Sequence, residues 1–393
     1  VPEPRRSGLV VVLALATGLA LVIAGYWFVA LLAKVGGSGM TDLAVYRGAV
    51  LSMLDGRGLY DYALLRPGES ALPFTYPPFA ALVFVPVAVL PSAVSAWLVV
   101  VASLAACVGL AHLLLRHGSR WRGGRIPALP LALASLALLV SEPVGLGVIL
   151  GQISLFLVLA SLADACGVLP RRWQGVLIGL AGAIKLIPLV FVPYFLITRQ
   201  WRRAVNATVA FGVATGLGFV VLPGESVRYW TQLVFDTSRV GEVALSRSKS
   251  LLGLVARWDL GGDHQRLVWL ALAAVVAVLG LWAASRHHRR GQELAAALVV
   301  GTLSILLTPI SWPHHQVWMT LVALYLILQE RRWTIAAGSA LLLGYVFASP
   351  LFSWLETGPL WLRLSWELPT LAAVAVSVLG LPQARPVAPV AAG

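Results

Sequence analysis

The stretch SAVSAWLVVVASLAACVGLAHLLLRHGSRWRGGR, residues 92–125, decides what kind of protein this is. No acidic side chain, lysine or arginine interrupts residues 92–115, and then Arg116, Arg120, Arg122 and Arg125 follow in one short connection. About 20 apolar residues carry a helix across a bilayer core, and arginines clustered at the end of such a span mark its cytoplasmic side. Comparable apolar runs recur at 9–33, 126–141, 146–166, 204–222, 266–285, 293–309, 313–329, 334–348 and 366–381. The 393-residue chain is 59% hydrophobic and only 11% charged, whereas soluble domains carry about 25% charge. It has too little polar surface to face water on all sides. The expected fold is an all-α polytopic membrane protein of about 10–12 transmembrane helices, one domain over residues 1–381 with no separate soluble unit.

The formal net charge of +13 falls in short clusters between apolar runs, not on the aromatic-and-basic face that nucleic acid requires. Membrane lipids are the expected surroundings, with no nucleic-acid partner. Besides the four arginines above, the clusters are Arg171 with Arg172, Arg199 with Arg202 and Arg203, Arg286 with Arg289 and Arg290, and Arg331 with Arg332. Tyr76 to Leu90 is bounded by Pro77, Pro78 and Pro91. It covers about 21 Å as a helix, short of a ~30 Å core, and is expected to be partial or re-entrant. Segment 174–198 has basic clusters at both ends and Lys185 and Pro188 in its middle. It is expected to form two half-helices with Lys185 near the outer tip.

With those assignments every basic loop and both termini are cytoplasmic in a multi-pass plasma-membrane protein. Segments 34–76, 223–265 and 308–315 then lie together on the outer, periplasmic face. The run 9–33 is too long for a signal peptide and lacks a small-residue cleavage site, so it is expected to remain as a span. The Pro/Ala-rich end, 382–393, is expected to be a disordered cytoplasmic tail. Cys107 and Cys166 both sit in apolar runs, which excludes a disulfide framework. No fixed-period repeat is present.

Few residues are placed to do chemistry. From Asp42 to Leu54, Leu43, Tyr46, Val50, Leu51 and Leu54 recur at helical spacing, predicting a short outer-face helix on the membrane surface. Asp42 in its first turn is either an acid favoured by the helix dipole or a catalytic acid or base. His314 and His315 join two spans, about 100° apart around a helix. Either one of them faces a polar cavity, or both belong with Trp312 to an interfacial aromatic belt. Lys185 at membrane depth suggests function by default, the alternative being a snorkelling lysine. Ser246-Arg247-Ser248-Lys249-Ser250 offers two cations and three hydroxyls, either a phosphate site or a solvated basic loop. Glu142 and Gly151-Gln152 are polar points that read most simply as helix-to-helix hydrogen bonds. No H-x-E…C-x-x-C, H-E-x-x-H, phosphate-loop or dinucleotide fingerprint occurs, so neither a soluble cofactor nor a metal is expected.

Taken in order, Thr41-Asp42-Leu43-Ala44-Val45-Tyr46-Arg47, Tyr76-Pro77-Pro78-Phe79, Gly151-Gln152, Lys185-Leu186-Ile187-Pro188, Ser250-Leu251-Leu252-Gly253 and Ser311-Trp312-Pro313-His314-His315 give a resemblance to a known family. The chain resembles the actinobacterial polyprenyl-phosphate-mannose-dependent α-1,2-mannosyltransferases, and among them those acting on phosphatidylinositol mannosides. The resemblance implies a GT-C glycosyltransferase fold and a catalytic aspartate at Asp42. It also implies a catalytic histidine from the pair His314 and His315, and a lipid-phosphate sugar donor entering from the membrane. Arg47, Tyr76, Lys185, Arg247, Lys249 and Trp312 are the candidate substrate-binding residues. The implied partners are polyprenyl-phosphate-mannose and a glycolipid acceptor of the phosphatidylinositol-mannoside or lipomannan type. One motif departs from the family: Ser248-Lys249-Ser250 stands where Asn-Gln-Ser is expected before Leu-Leu-Gly.

The residues fit that chemistry independently. A polyprenyl phosphate leaves without a proton, so an inverting transfer needs one carboxylate to take the acceptor's proton, where inverting glycosidases need two. Competing readings are transfer of arabinose or glucose from the same kind of donor, and a lipid or sugar transporter. A transporter would place its ionisable groups near the midplane between repeated halves. A purely structural membrane subunit does not account for polar clusters gathered on one side.

Overall fold

The structure is a computed structural model that describes residues 39–65, 70–119, 121, 125–258, 261–357 and 367–382, together with 22, 25–27, 29–31 and 33. Most of the run 9–33, parts of the first outer segment and the tail beyond Pro382 lie outside these residues.

Apart from one tiny hairpin, the regular elements of the described residues are all helices. It opens with α1 (Thr41–Leu54), the hairpin β1 (Ala63–Leu64) and β2 (Leu72–Pro73), α2 (Pro78–Ala88) and α3 (Ser92–Gly118). Next come α4 (Ala128–Val140), α5 (Glu142–Leu150), α6 (Ser154–Ala165), α7 (Val176–Ile184), α8 (Phe191–Ile197) and α9 (Trp201–Val221). The rest is α10 (Pro223–Thr231), α11 (Leu251–Ala256), α12 (Gly262–Arg289), α13 (Glu293–Leu307), α14 (Val317–Leu328), α15 (Arg332–Thr357) and α16 (Leu368–Leu379). The hairpin is antiparallel, Ala63 opposite Pro73.

The centre of the bundle is α13 and α14. Every side chain from Leu294 to Leu306 and from Val317 to Leu326 is buried, as a helix that is apolar all round requires. Gly301 lets them meet: the Trp318 indole occupies the space a side chain at 301 would fill. At the periphery, α9 leaves Trp201, Val205, Val209, Val213 and Leu217 exposed. That four-residue spacing is one helix stripe, apolar and fit only for lipid.

Among the described residues α3, α9 and α12 are long and apolar enough to cross a bilayer alone, and α4 with α5, bent by 69°, makes a fourth crossing if counted as one. Other apolar helices are 10–17 residues long. The membrane reading stands, but the crossings are pieced together from shorter helices than the apolar runs suggested. The run read as one span over 146–166 is broken. Helix α5 ends at Gly151, whose φ of 73° suits a left-handed cap, and α6 restarts at Ser154. A Cβ at Gly151 would lie 2.7 Å from that of Leu43, so glycine also lets α1 approach. The short elements come out as expected. Helix α2 has 11 residues, about 16 Å. Segment 174–198 divides into α7 and a 3₁₀ turn, Ile187–Val190, leading into α8, with extended Lys185 at the break.

Helix α1 forms as the spacing predicted but faces differently. Leu43, Val45, Tyr46, Ala49 and Val50 are buried, while Leu51 and Leu54 stay exposed. The Tyr46 ring stacks on Phe84 of α2 with centroids 4.6 Å apart, so the helix packs on protein along that side.

Candidate active site

The segments expected together on the outer face do meet, around a cavity of about 410 Å³. The first is pinned to the second. Asp61 pairs with Arg228 at 2.7 Å, the Leu59 N–H donates to Glu225 Oε1 at 2.7 Å, and Tyr60 stacks on Tyr229. The third, residues 308–316, is held from behind by the second. Lys249 N–H donates to the Ser311 carbonyl at 2.7 Å. The Ser250 hydroxyl donates to the Pro309 carbonyl at 2.8 Å and caps α11 by accepting from Gly253 N–H. The Gly241 backbone packs against the Trp312 ring.

Asp42, in the first turn of α1, lines the cavity. Its Oδ2 accepts from Gln152 Nε2 at 2.6 Å, a charge-assisted bond. Gln152 is fixed in turn: the hydroxyls of Tyr46 (3.1 Å), Ser154 (3.3 Å) and Tyr76 (3.4 Å) all lie within donating range of its Oε1. Those three hydroxyls decide which way the amide points, so its NH₂ faces the carboxylate. The Tyr46 and Tyr76 hydroxyls are also 2.9 Å apart, and with one proton each, one of them donates to the other while the second donates to Gln152.

Across Tyr76 lies the cationic part. Lys185 Nζ stands 5.2 Å from the Tyr76 ring centroid and 2.9 Å from His315 Nε2, while His315 Nδ1 is 3.2 Å from the Trp312 N–H. A neutral imidazole has one acceptor nitrogen, so it cannot accept from both donors. An anionic oxygen on the cavity side, accepting from both Lys185 Nζ and an Nε2–H of His315, would relieve that conflict. Both histidines line the cavity at the buried turn between α13 and α14. Burial and the Lys185 ammonium push His314 down to about 3 and His315 well below the usual imidazole range, so both rings are neutral near pH 7. His315 has a cationic partner, whereas His314 Nε2 is buried with no hydrogen-bond partner.

Of the sequence-derived candidates, the structure brings Asp42, Tyr76, Lys185, Trp312, His314 and His315 to this cavity. Three it does not. Arg47, on α1, points the other way and donates to the carbonyls of Val87 (2.9 Å) and Leu90 (2.6 Å) and to Ser95 Oγ (2.6 Å). It clamps the end of α2 to α3. Lys249 is buried with its Nζ donating to the Ser246 carbonyl at 2.8 Å. Arg247 and Lys249 interact with Glu142, buried at the start of α5. The Ser-Lys-Ser segment supports the histidine turn from outside the cavity. Gln152, read from sequence as a helix-to-helix contact, is the residue that orients Asp42. Asp236 and Arg239 line the cavity from the second segment with no sequence signal to mark them. Among the described residues no group of three or more His, Cys, Asp or Glu side chains gathers in metal-binding fashion.

A second, apolar cavity of about 270 Å³ shares Tyr46 and Gln152 with the first, and its walls include Val83, Phe84, Leu98 and Phe156. Val83 and Leu98 are exposed, so it opens on the lipid-facing side.

The profile of Glycosyltransferase family 87 matches residues 74–309. The chain belongs to this family. Family 87 comprises GT-C membrane glycosyltransferases, so the fold class expected from the motifs is the right one. The family 87 chain is 34% identical over 320 residues to a polyprenol-phosphate-mannose-dependent α-(1-2)-phosphatidylinositol mannoside mannosyltransferase of Mycobacterium tuberculosis, covering 78% of this chain and 74% of the relative. It is 33% identical over 367 residues to the protein of that description in Mycolicibacterium smegmatis, covering 86% and 82%. It is 35% identical over 298 residues to the M. smegmatis polyprenol-phosphate-mannose-dependent α-(1-2)-phosphatidylinositol pentamannoside mannosyltransferase, covering 74% and 70%. No solved structure matches the family 87 chain.

Proposed function

We propose that this protein transfers mannose from polyprenyl-phosphate-mannose to a phosphatidylinositol-mannoside or lipomannan-type glycolipid, with inversion, forming an α-1,2 bond. The observation that carries the reading is one cavity holding a carboxylate fixed by Gln152 and, across Tyr76, the Lys185–His315 pair. Names and coverage of the relatives point to the same donor and acceptor class.

The acceptor hydroxyl gives its proton to Asp42 as its oxygen attacks the anomeric carbon. The bond from that carbon to the phosphate oxygen breaks, and polyprenyl phosphate leaves with one more negative charge. A β-linked donor thus gives an α-mannoside. Lys185, with His315 behind it, meets the charge gathering on the phosphate, an electrostatic contribution that grows toward the transition state. No proton is needed on the leaving group, so one carboxylate suffices. The apolar cavity beside Asp42 gives a prenyl chain a wall of Val83, Phe84 and Leu98. By the positive-inside rule the arginine clusters favour a cytoplasmic position for both termini and an outer-face position for the cavity. The large outer segment, 223–265, then closes the cavity from above.

The test is incubation of purified protein with labelled polyprenyl-phosphate-mannose and phosphatidylinositol mannosides, with linkage analysis of the product. An α-1,2-mannosylated glycolipid is expected, and Asp42→Asn should cut turnover by about 10²–10⁴-fold while donor still binds. Near-normal turnover of folded Asp42→Asn would reduce Asp42 to a helix-end acid and leave the reaction without its base.

A further inference from the structure

The end of the bundle away from the cavity carries a second concave site. Helices α13 and α14 fix its position: their Thr308 and His315 ends line the catalytic cavity, and their other ends lead to Arg290 and Arg331. Between the last turn of α12, the α14–α15 connection and the end of α16 lies a groove of about 570 Å³. Arg286, Arg290 and Arg331 line it together with the apolar Leu326, Val376 and Leu379. Among the described residues no acidic side chain lines it. The nearby Glu293 is engaged by His288 Nδ1 at 2.8 Å and the Tyr194 hydroxyl at 3.4 Å.

The apolar part of the lining is a built wall. Leu381 N–H donates to His287 Nε2 at 3.0 Å, which leaves the proton on Nδ1 to donate to Gln292 Oε1 at 2.8 Å. The Tyr325 hydroxyl donates to the Pro382 carbonyl at 3.2 Å. These ties hold the chain after α16 against α12 and α14. The groove opens outward rather than into the protein, since Leu379 is 75% and Trp333 58% exposed. The Arg286 guanidinium lies 4.7 Å from the centroid of the half-exposed Trp282 ring, an attraction that positions the cation without neutralising it.

We infer that this groove binds an anionic phospholipid, its phosphodiester among the three arginines and its acyl chains along Leu326, Val376 and Leu379. A soluble phosphate has no use for the apolar wall. A zwitterionic headgroup brings an ammonium to a site that already holds three cations. Guanidinium forks match phosphate oxygens in pairs, and basic pockets between helices at the cytoplasmic membrane surface favour anionic lipid heads. The inference does not depend on which sugar the protein transfers.

The test uses the whole purified protein in mixed micelles with phosphatidylglycerol or phosphatidylcholine of the same acyl chains, retained lipid being read by native mass spectrometry. Phosphatidylglycerol should be retained selectively. Each of Arg286→Gln, Arg290→Gln and Arg331→Gln should lower that preference by roughly fivefold, the scale of one basic residue near an anionic surface. The control Arg171→Gln/Arg172→Gln/Arg202→Gln removes three charges elsewhere, more than any one of these variants, and should leave it unchanged. Equal loss in the control would show a diffuse basic surface and overturn the site, as would displacement of the lipid by millimolar inorganic phosphate. A measurement on protein with all its arginines guards against misfolded variants. Brominated phosphatidylglycerol should quench tryptophan fluorescence more than brominated phosphatidylcholine, and Trp282→Phe/Trp333→Phe should abolish the difference. Equal quenching by the two lipids in the unmodified protein would also overturn the inference.

Discussion

Gln152→Ala tests whether the carboxylate in the cavity works because it is held. Gln152 Nε2 donates to Asp42 Oδ2 at 2.6 Å, and the hydroxyls around its Oε1 fix the amide's orientation. A hydrogen bond to a charged group contributes about 1.5–3 kcal/mol, and about 1.4 kcal/mol corresponds to tenfold in rate. Losing the bond should therefore lower kcat by about 10- to 150-fold. Asp42 without a donor is also more basic, which favours proton abstraction, so a net loss reports lost positioning. Donor KM should stay near the wild-type value, because the proposed phosphate site lies across Tyr76 and is formed by other residues. Gln152→Glu keeps the shape but sets a second carboxylate against the first. Two carboxylates at such range share a proton, so this loss should be larger near neutrality and recede as pH rises. The loss in Gln152→Ala should be nearly independent of pH. The assay is initial-rate transfer of labelled mannose by folded protein in nanodiscs, over pH 6–9. A Gln152→Ala rate within about twofold of wild type would refute the idea that Gln152 positions the base.

Other outcomes follow from the same contacts. Because His314 and His315 are held neutral, pushed down to about 3 and well below the usual range, neither of these two rings should gain a proton between pH 8 and pH 6. A limb in kcat/KM near pH 6.5 that vanishes in His315→Gln would contradict this. Arg47→Gln and Lys249→Ala should both lower thermal stability, by about 1–3 kcal/mol for a buried polar group left without its donor, with donor KM unchanged; a several-fold rise in KM would return either residue to the substrate site. Leu98→Trp narrows the apolar cavity beside Asp42 and should raise donor KM with little effect on kcat. Unchanged KM would mean the prenyl chain lies elsewhere.

The sequence alone determined the class of the molecule. Apolar runs punctuated by arginine clusters leave no soluble alternative, because the chain lacks the polar surface to cover itself. Local chemistry also set the short elements: prolines at 77, 78 and 91 confine α2, and Lys185 followed by Pro188 interrupts the pair α7 and α8. Asp42, Lys185 and the two histidines stood out because a charged or titratable group in apolar surroundings is costly and needs a reason. What the sequence could not supply was direction. The same arginine spacing suits substrate or scaffold, and only packing showed Arg47 turned away to bind the carbonyls at the end of α2. Lys249 sits in a segment as polar as any phosphate site, yet the turn it supports lies between it and the cavity. Gln152 is one polar residue among apolar neighbours, and its importance exists only because α1, approaching over the bare Gly151, brings a carboxylate from 110 positions away in the chain to 2.6 Å from its amide. Hydrophobic patterning is a property of neighbours along the chain, whereas a catalytic arrangement is a property of neighbours in space, and only the folded bundle decides those.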